Sequence, residues 1–292
     1  MKDFQSKVIN IDQWVEENGV YLKPPICNKL VFNGQLKIFL VGGPNQRNDY
    51  HVENGEEIFI MLKGDMILNI IEQGHSKALT IREGKLVKFC TTKSVPHSPQ
   101  RFADTLGMVI ERKRLDHELD CLRYYIDSNC NQVLFEKWFH LVNLDTDLKP
   151  IIESFKSSIE CATGRPTQFY DNSLTPHPDD RTIKLQSPIY LLDWFKFNYL
   201  SICEGFSFLY PQSVESRIGF YGPGKHIVIS VDTELFIWHL GSYAKLTIDD
   251  DNQRKLTFND TMIIDRGSFF ILVSDGPTFI ASMKPFTSTV RP

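Results

Sequence analysis

Short runs of β-branched and aromatic residues, separated by glycine, proline or polar residues, recur along most of this chain. In the first half they cover residues 36–41, 57–62, 66–71, 86–90 and 108–111. In the second half they cover residues 216–221, 226–231, 235–240, 245–248, 262–265, 269–273 and 278–283. Runs of this length and spacing are typical of antiparallel sandwiches and barrels. We therefore predict an all-β chain with a few helices.

Helical patterns are few, and they predict helices at residues 12–17, 148–159 and 187–204. Thr146 or Asp147 is suited to cap the second of these helices. The third has Ser187 before it, Pro188 at its first position and Gly205 just past its end, which is the usual order of start and stop residues. The second and third helices lie between two β-rich halves.

A polar segment that contains several prolines separates the second and third predicted helices. Pro166, Pro176 and Pro178 lie in it, and it shows little apolar periodicity, so we predict a linker. The predicted organisation is an N-terminal catalytic domain at 1–160, a linker at 161–186 and a C-terminal domain at 187–292.

The two β-rich halves share a spaced pattern of an acid, an apolar strand and a turn glycine. Glu57 is followed by Gly64 in the first half, and Glu234 is followed by Gly241 at the same spacing in the second. The pattern occurs at corresponding places in two similarly ordered halves. It therefore indicates an internal duplication.

Composition excludes several classes of function. The 292 residues are 42% hydrophobic and 23% charged, as in ordinary globular domains, and a net charge of −4 provides no basic surface for nucleic acid. No run approaches the ~18 apolar residues of a membrane span, and the N-terminus lacks the apolar core of a signal peptide. Six scattered cysteines without a CxxC pair indicate reduced thiols. We expect a cytosolic protein with no nucleic-acid or membrane partner.

Two histidines and one glutamate in the first half are spaced as a metal site would require. His51 lies six residues before Glu57, and His97 follows in a Val-Pro-His-Ser-Pro run. On neighbouring strands, two imidazoles and a carboxylate would form a three-ligand face that leaves other coordination positions open. Non-haem Fe(II) oxygenases use this arrangement. The same ligands also suit Zn, Mn, Ni or Cu, so ligand types alone do not select iron.

These segments resemble the two cupin motifs, of which the first reads glycine, His-x-His, glutamate and glycine in its family form. Here Glu53 takes the place of the second histidine, so the usual four ligands fall to three unless Glu53 also binds. In the second motif Cys90 stands where a proline is expected. The resemblance implies two tandem cupin barrels, or double-stranded β-helix barrels, joined by the helical and proline-rich linker.

With these departures, the segments resemble one particular branch of the cupins, the 3-hydroxyanthranilate 3,4-dioxygenase family. The runs that carry this resemblance lie at residues 24–29, 41–51, 55–57, 96–102, 109–112, 122–125 and 134–139. The similarity is specific over residues 20–160, and beyond them the chain looks like the fused two-cupin form of animals. The shorter bacterial form ends in paired CxxC zinc motifs, which this chain lacks.

The resemblance implies Fe(II) held by three ligands, His51, Glu57 and His97. It also implies that Arg101 holds the carboxylate of the substrate, 3-hydroxyanthranilate, and that Arg47 lies near O2. Glu111 would form a hydrogen bond with the amino or hydroxyl group of the ring and take the hydroxyl proton. Glu57 would also face the substrate. The family's reaction opens the ring between C3 and C4, incorporates both atoms of O2 and yields 2-amino-3-carboxymuconate semialdehyde. It belongs to the kynurenine pathway, on the route to quinolinate and NAD.

Each of these residues also has an ordinary interpretation. His51 and His97, taken singly, could be isolated surface or core histidines. Arg47 and Arg101 could be surface charges. Glu111 could be the charged end of a strand, since three basic residues follow it.

Other polar residues are expected to have no part in the site. Glu53 and Glu56 flank an Asn-Gly turn, and we expect both to be solvated. The remaining histidines are expected to be structural or exposed: His75, His117, His140, His177, His226 and His239. The cysteines nearest the motifs are expected to be packed thiols: Cys90, Cys121 and Cys130.

The second half lacks the residues to repeat this chemistry. Val228 stands six residues before Glu234, where His51 stands before Glu57, and no histidine follows His239. We therefore expect the second barrel to be a structural partner that shields the site or covers the first barrel. In the bacterial form two single-cupin chains pair. A fused second barrel in the partner's place would make this chain a monomer.

Two other functions stay open at this point. One is a cupin metalloenzyme for another small carboxylated phenol, because a fold alone does not fix a reaction. The other is a non-catalytic bicupin that binds a ligand or stores protein. An arginine close to His97 predicts a carboxylate on the substrate, and the complete ligand set of the first half argues against a binding protein.

Overall fold

Helices are few in the structure, a computed structural model that describes residues 7–24, 27–89, 95–179, 181–211, 215–229, 233–249 and 252–285. The α-helices are α1 (Ile11–Asn18), α2 (Leu144–Lys156), α3 (Ile159–Thr163), α4 (Leu191–Phe197) and α5 (Tyr199–Glu204), with short 3-10 helices at Gly19–Leu22 and Asn172–Leu174. None of these helices is long and apolar enough to cross a lipid bilayer.

Strands make up most of both halves. The first half contains β1 (Ile9–Asn10), β2 (Asn28–Asn33), β3 (Leu36–Gly42), β4 (Tyr50–Val52), β5 (Glu57–Lys63), β6 (Met66–Glu72), β7 (His75–Ile81), β8 (Lys85–Phe89), β9 (His97–Arg101), β10 (Leu106–Arg112), β11 (Asp120–Tyr125) and β12 (Val133–Phe139). The second half contains β13 (Ile189–Tyr190), β14 (Ser207–Phe208), β15 (Ser216–Tyr221), β16 (Gly224–Ile229), β17 (Leu235–His239), β18 (Ala244–Ile248), β19 (Asn252–Leu256), β20 (Asp260–Ile264), β21 (Phe269–Ser274) and β22 (Thr278–Met283).

Four sheets form two barrels. The first barrel has an inner sheet in the order β13-β8-β5-β10-β3-β2 and an outer sheet in the order β12-β11-β4-β9-β6-β7. The second barrel has an inner sheet in the order β1-β20-β17-β22-β15-β14 and an outer sheet in the order β16-β21-β18-β19. The two inner sheets share one apolar core between the barrels. The prediction of an all-β chain with two tandem barrels is confirmed.

Burial on both faces explains why the inner strands read as continuous apolar runs. In β5, Ile58 and Ile60 enter the core between the barrels, whereas Phe59 and Met61 enter the interior of the first barrel. Phe236 of β17 reaches the inter-barrel core from the other side. A strand covered on both faces needs no polar side. In contrast, β6 of the outer sheet alternates between buried and partly exposed residues, as one solvated face requires.

The strand order of the inner sheets repeats, as the predicted duplication requires. β5 and β17, which follow the repeated acid, occupy corresponding places in the two sheets. Each inner sheet is completed by a two-residue strand from elsewhere in the chain. Ile189 of β13 lies opposite Leu86 of β8, and Ile9 of β1 lies opposite Thr261 of β20. The barrels therefore exchange edge strands, and the domain boundaries near residues 160 and 186 stay predictions.

The predicted linker lies against the first barrel and contains helical turns of its own. The Asp179 carboxylate forms an ion pair of 2.7 Å with Arg123 of β11. The amide of Leu185 donates to the Glu72 carboxylate of β6 at 2.7 Å. These bonds attach the segment to the outer sheet of the first barrel.

The first two predicted helices exist, with shifted boundaries. α1 extends one residue beyond each predicted end, and the side chain of Asn10 caps it. α2 begins at Leu144, so Thr146 and Asp147 lie inside it rather than at its cap. The predicted cap was wrong because Asp147 lies in the first turn of α2 itself. Its carboxylate accepts the amide of Val142, which precedes the helix.

The third predicted helix was wrong in its first part. The segment after Pro188 forms β13, because pairing with β8 satisfies its backbone groups before the helix begins. α4 then begins at Leu191, and Asn198 separates it from α5. Tertiary pairing has overridden the local start signal at Ser187 and Pro188.

Several strands escaped prediction, above all β4, β7, β9, β11 and β12, because they are short or lack a regular alternation of apolar and polar residues. β9 reads His-Ser-Pro-Gln-Arg, a composition without apolar alternation. Some predicted features lie outside the described residues: Cys90, residues 25–26 of the first family-like run, and the end of the run at 226–231.

The shared core should make the stability of the molecule depend on Phe236. This side chain is fully buried, and its ring centroid lies 6.1 Å from that of Phe32 in the first barrel. We expect Phe236→Ala to lower the free energy of unfolding by ~3–5 kcal/mol, because it opens a cavity. Urea denaturation followed by circular dichroism measures this loss. Phe258→Ala, at a 55% exposed position, is the control and should change stability by less than ~0.5 kcal/mol.

Candidate functional site

The two histidines predicted to bind metal face each other inside the first barrel. His51 of β4 and His97 of β9 are directly opposite in register, and their ring centroids lie 5.3 Å apart. Glu57, the first residue of β5, belongs to the opposing inner sheet, and its Oε2 lies 3.1 Å from His97 Nε2. All three side chains are buried. The structure therefore places Glu57 beside His97 and the ring of His51 next to that of His97, while the ligand atoms of His51 group with Glu53 and Asp120.

Strand alternation places further polar residues beside this cluster. Arg101 lies four residues after His97 on β9, so both side chains lie on the same face of the outer sheet. Glu111 follows Val109 by two residues on β10, and Val109 packs in the interior of the first barrel. Phe59 packs between His97 and Arg101. Its ring centroid lies 5.9 Å from that of His97 and 6.0 Å from the guanidinium carbon of Arg101.

Potential metal ligands form two overlapping groups among the described residues. His51, Glu53 and Asp120 make one group, and Glu53, Glu57 and His97 make the other, with donor atoms within 4.8 Å of one another in each. Glu53 belongs to both groups. It therefore connects His51, in the first group, with Glu57 and His97, in the second. Buried imidazole and carboxylate donors of this kind suit a divalent transition metal.

Burial shifts the pKa values of this cluster, and a bound cation would reverse the shift at Glu57 and favour the neutral imidazole of His97. Burial and the charge of Glu111 raise the pKa of Glu57 to about 7. Burial and the nearby His51 lower the pKa of His97 to about 3, which keeps its imidazole neutral as a ligand requires. Glu57 Oε2 accepts no hydrogen bond within the described part of the chain. A bound cation would favour the ionised carboxylate, so the residues present fit a metal.

Asp120 orients the ring of His51. Its Oδ2 lies 2.8 Å from His51 Nε2. Burial opposes the charge of Asp120, but Arg114 and His51 hold the pKa of this carboxyl well below its usual value. Burial also opposes the charge of His51, yet the hydrogen bond and charge of Asp120 raise the pKa of its imidazole. A carboxylate on one ring nitrogen leaves the other nitrogen available for a metal.

Arg114 joins the carboxylates around the site. Its Nε donates to Asp120 at 2.8 Å, and its Nη2 contacts Glu111 at 3.1 Å. The same guanidinium nitrogen is ion-paired with Glu53. The residue is almost fully buried. Arg114 therefore compensates several buried negative charges that would otherwise repel one another.

The expectation that Glu53 and Glu56 are solvated was wrong. Both are buried, because Glu53 is ion-paired with Arg114 and Glu56 lies against the second barrel. The Glu56 carboxylate accepts the amides of Glu215 at 3.3 Å and of Ser216 at 2.8 Å. An Asn-Gly turn is normally exposed, but here a second barrel covers it.

The loop before β4 carries Arg47 and is bound to the end of β9. A Cβ at Gly43 would lie 1.9 Å from the carbonyl oxygen of Phe102, so only glycine permits this approach. The Gln100 amide group accepts from Arg47 N at 3.0 Å and donates to its carbonyl oxygen at 2.9 Å. Arg47 itself is partly exposed and ion-paired with Asp49. It therefore lies at the edge of the site.

Arg101 is a buried cation in the interior of the first barrel. Burial lowers the pKa of its guanidinium to about 10, against the opposing charge of Glu57. Its Nε has no hydrogen-bond acceptor among the described residues. A buried guanidinium is stable only when an anion compensates it. This arrangement is suited to an anionic group of a ligand.

A family model described as 3-hydroxyanthranilic acid dioxygenase matches residues 3–156, which is more than half of the chain and includes all the residues above except those of the second barrel. The chain belongs to this family. Membership in this dioxygenase family implies a metal cofactor, in agreement with the buried cluster of possible ligands.

Proteins of this family from several animals match most of the chain. The 3-hydroxyanthranilate 3,4-dioxygenase of Rattus norvegicus is 42% identical over 243 residues, or 83% of this chain and 84% of the relative. The protein of that name from Homo sapiens is 37% identical over 263 residues, or 90% of each chain. The one from Nematostella vectensis is 40% identical over 259 residues, or 88% of this chain and 92% of the relative.

A solved structure of another enzyme shares the architecture. A salicylate 1,2-dioxygenase from Pseudaminobacter salicylatoxidans gives a TM-score of 0.58 at 8% identity, covering 96% of this chain and 84% of that chain. At this low identity the likeness concerns the fold alone. It supports the arrangement of two cupin barrels.

The second barrel has apolar residues where the first has its histidines. Val228 of β16 lies opposite Phe270 of β21, as His51 of β4 lies opposite His97 of β9. Both residues pack in the apolar interior of the second barrel. Both groups of possible metal ligands found in the described residues lie in the first barrel.

The remaining histidines and cysteines lie as expected where they are described. His75 and His117 are exposed, and none of the six histidines other than His51 and His97 belongs to a group of possible ligands in the described residues. His239, which is buried, bonds Thr278 Oγ1 at 2.9 Å. Cys121 and Cys130 are buried free thiols.

Sequence reasoning missed Arg114 and Asp120. Arg114 ends the run Glu-Arg-Lys-Arg, which resembles an ordinary charged strand end. Asp120 precedes an apolar strand and has no motif of its own. Asp120 comes close to His51 because β11 pairs with β4, with Leu122 opposite His51, and this pairing could not be read from the sequence.

Removal of Arg114 should strongly destabilise the protein. We expect Arg114→Met to lower the free energy of unfolding of chelator-treated protein by ~3–5 kcal/mol, because it leaves buried carboxylates without their cation. Urea denaturation at neutral pH measures the loss. Lys113→Met is the matched control, since Lys113 is the adjacent, exposed cation. A difference of less than ~1 kcal/mol between the two variants would contradict this role of Arg114.

Proposed function

We propose that this chain opens the aromatic ring of 3-hydroxyanthranilate with O2, using Fe(II) held by His51, Glu57 and His97. Family membership supports the reaction, and relatives that match both barrels carry the name 3-hydroxyanthranilate 3,4-dioxygenase. The observation that carries the proposal is the buried Arg101 guanidinium beside the cluster of two imidazoles and a carboxylate. This combination suits a substrate that has both a metal-binding edge and a carboxylate.

Iron is the metal that fits both the ligands and the reaction. Two histidines and one carboxylate are the ligand set of non-haem Fe(II) oxygenases. When bound, Fe(II) would supply open coordination positions and the electron transfer between the ring and O2. The low pKa of His97 and the orientation of His51 by Asp120 are the protein's own contributions to metal binding.

Arg101 would hold the carboxylate of the substrate. A planar guanidinium matches a carboxylate with two parallel hydrogen bonds, and these bonds are strong where water is excluded. The side chain of Arg101 is buried, and its Nε lacks an acceptor among the described residues. The carboxylate of the substrate would therefore compensate the positive charge of Arg101 inside the first barrel.

Glu111 would accept the proton of the ring hydroxyl group. It is buried on β10 in the inner sheet, and Arg114 contacts its Oε2 at 3.1 Å. A positioned base of this kind contributes typically ~10²–10⁴-fold in rate. Glu57 would lie beside the same substrate edge. Arg47, at the mouth of the site, would face O2 and the ring from the loop that Gln100 holds.

The proposed reaction breaks the ring bond between C3 and C4 and adds both oxygen atoms of O2 to the product, 2-amino-3-carboxymuconate semialdehyde. The reaction balances without an external reductant, because the electron-rich ring supplies the electrons. This product leads to quinolinate and NAD. The names of the relatives do not favour a non-catalytic bicupin or a metalloenzyme for another phenol.

The chain would act as a monomer in the cytosol. The second barrel covers the apolar inner sheet of the first, which supports a single-chain unit. The five described cysteines are free thiols, which supports a reducing compartment.

Oxygen uptake with iron tests the proposed reaction. Metal-free protein loaded anaerobically with Fe(II) should consume one O2 per 3-hydroxyanthranilate and form the absorbance of the semialdehyde. His51→Ala should lose more than ~90% of bound iron and of turnover, because a three-ligand site loses an imidazole. His75→Ala, at an exposed histidine, is the control and should retain both. Equal turnover by metal-free protein would refute the mechanism.

The role of Arg101 can be tested through the dependence of rate on substrate. Arg101→Ala should lower kcat/KM by ~10–100-fold, mainly through KM, because it removes a charge-assisted pair worth ~1.5–3 kcal/mol. Steady-state kinetics with 3-hydroxyanthranilate measure the change. Arg82→Ala, at an exposed arginine, should leave the kinetics unchanged. A rise in KM of less than about threefold would show that the substrate is held differently.

A further inference from the structure

A residue of the second barrel binds the turn that leads into the metal site of the first. Glu215 lies directly before β15, and its Oε2 accepts the amide of Glu56 at 3.1 Å. In return, the Glu56 carboxylate accepts the amides of Glu215 and Ser216. Glu56 is the residue before Glu57. The two barrels therefore exchange hydrogen bonds at the position next to a predicted metal ligand.

A buried arginine strengthens this contact. Arg112, at the end of β10, donates from Nε and Nη2 to the two carboxylate oxygens of Glu215 at 3.1 and 3.0 Å. Its Nη2 also donates to the carbonyl oxygen of Asn54 at 3.1 Å. Glu118 accepts from the same guanidinium at 2.7 Å. Arg112 thus joins the second barrel's carboxylate to the backbone of the turn.

The turn between β4 and β5 is held by side chains from both barrels. Residues 53–56 lie between β4 and β5, outside the ladders of both sheets. Glu53 is held by Arg114, Asn54 by Arg112, and Glu56 by Glu215 and Ser216. The contacts at Asn54 and Glu56 involve the second barrel, directly or through Arg112.

We propose that Glu215 of the second barrel is a positioning residue for the metal site of the first barrel. By holding the turn at Asn54 and Glu56, it sets where Glu53 and Glu57 present their carboxylates. The proposal rests on the proposed function in one respect, that Glu57 binds the metal. It assigns the second barrel a part in building the site, in addition to covering the first barrel.

The physical reason is the precision that a metal site demands. Ligands must be held within ~0.5 Å of their productive positions, and a turn outside the sheet ladders cannot supply this alone. Residues that orient metal ligands typically change metal affinity by ~10–100-fold when they are removed. Because Glu215 acts through the turn, we expect an effect near the lower end of this range.

A second glutamate of the same barrel provides a matched control. Glu234 is also buried, and its Oε2 accepts the amide of Leu36 in the first barrel at 2.9 Å. Leu36 begins β3, a strand that carries none of the predicted ligands. Both glutamates therefore hold the barrels together, but Glu215 alone of this pair binds the turn.

The test compares Fe(II) affinity in full-length protein. Glu215→Gln replaces one carboxylate oxygen with an NH2 group that donates and cannot accept, so one of the two acceptor oxygens and the negative charge opposite Arg112 are lost. Anaerobic titration of metal-free protein by calorimetry should show a dissociation constant about tenfold higher for this variant. Glu234→Gln should stay within about twofold of the unmodified protein. Cobalt(II) absorption spectra, which report ligand geometry, should change in Glu215→Gln and not in Glu234→Gln.

Three outcomes would overturn the proposal. Unchanged metal affinity in Glu215→Gln would show that the turn is held without it. Equal losses in both variants would show a general loosening of the barrels. If Glu215→Gln fails to fold, Glu56→Gln probes the same contact from the first barrel, and unchanged affinity in that variant would also overturn it. Affinity is measured without substrate, so a protein that binds Fe(II) but opens no ring contradicts only the proposed function.

Discussion

Two apolar sheets packed face to face determine the arrangement of this molecule. Ile58 and Ile60 of the first barrel meet Phe236 and Phe279 of the second in one core. Each such side chain contributes roughly 1.5–3 kcal/mol on burial, so the association of the barrels is a large part of the stability. Because one face of β5 is used by this core, its other face, which begins with Glu57, lines the interior of the first barrel.

The interior of the first barrel then carries charges that need compensation. Arg114 compensates Glu53, Glu111 and Asp120 by direct contact. Glu57 is different: burial and the charge of Glu111 raise its pKa to about 7, so the protein alone does not stabilise its ionised form. A divalent cation would supply that stabilisation. The same physical requirement makes the buried Arg101 suited to an anionic substrate group.

The fold and the predicted ligands could be read from the sequence because they depend on local spacing. Apolar runs separated by turn residues are a direct consequence of strand geometry. His51, Glu57 and His97 stand in short motifs with turn glycines and prolines, Gly64 and Pro96 among them. Glu56 could not be read, because an Asn-Gly turn carries no sign that a residue far along the chain, Glu215, will cover it.

The sequence by itself therefore determined the all-β architecture, and it provided His51, Glu57 and His97 of the first half as candidate ligands and a valine, which cannot bind metal, at the corresponding place in the second half. The tertiary structure alone decided which charges meet. Arg114 with Asp120, and Glu215 with Arg112 and the turn, are contacts between strand ends that only folding brings together. Local patterns report the period of a strand, whereas the partner of a buried charge depends on how sheets stack.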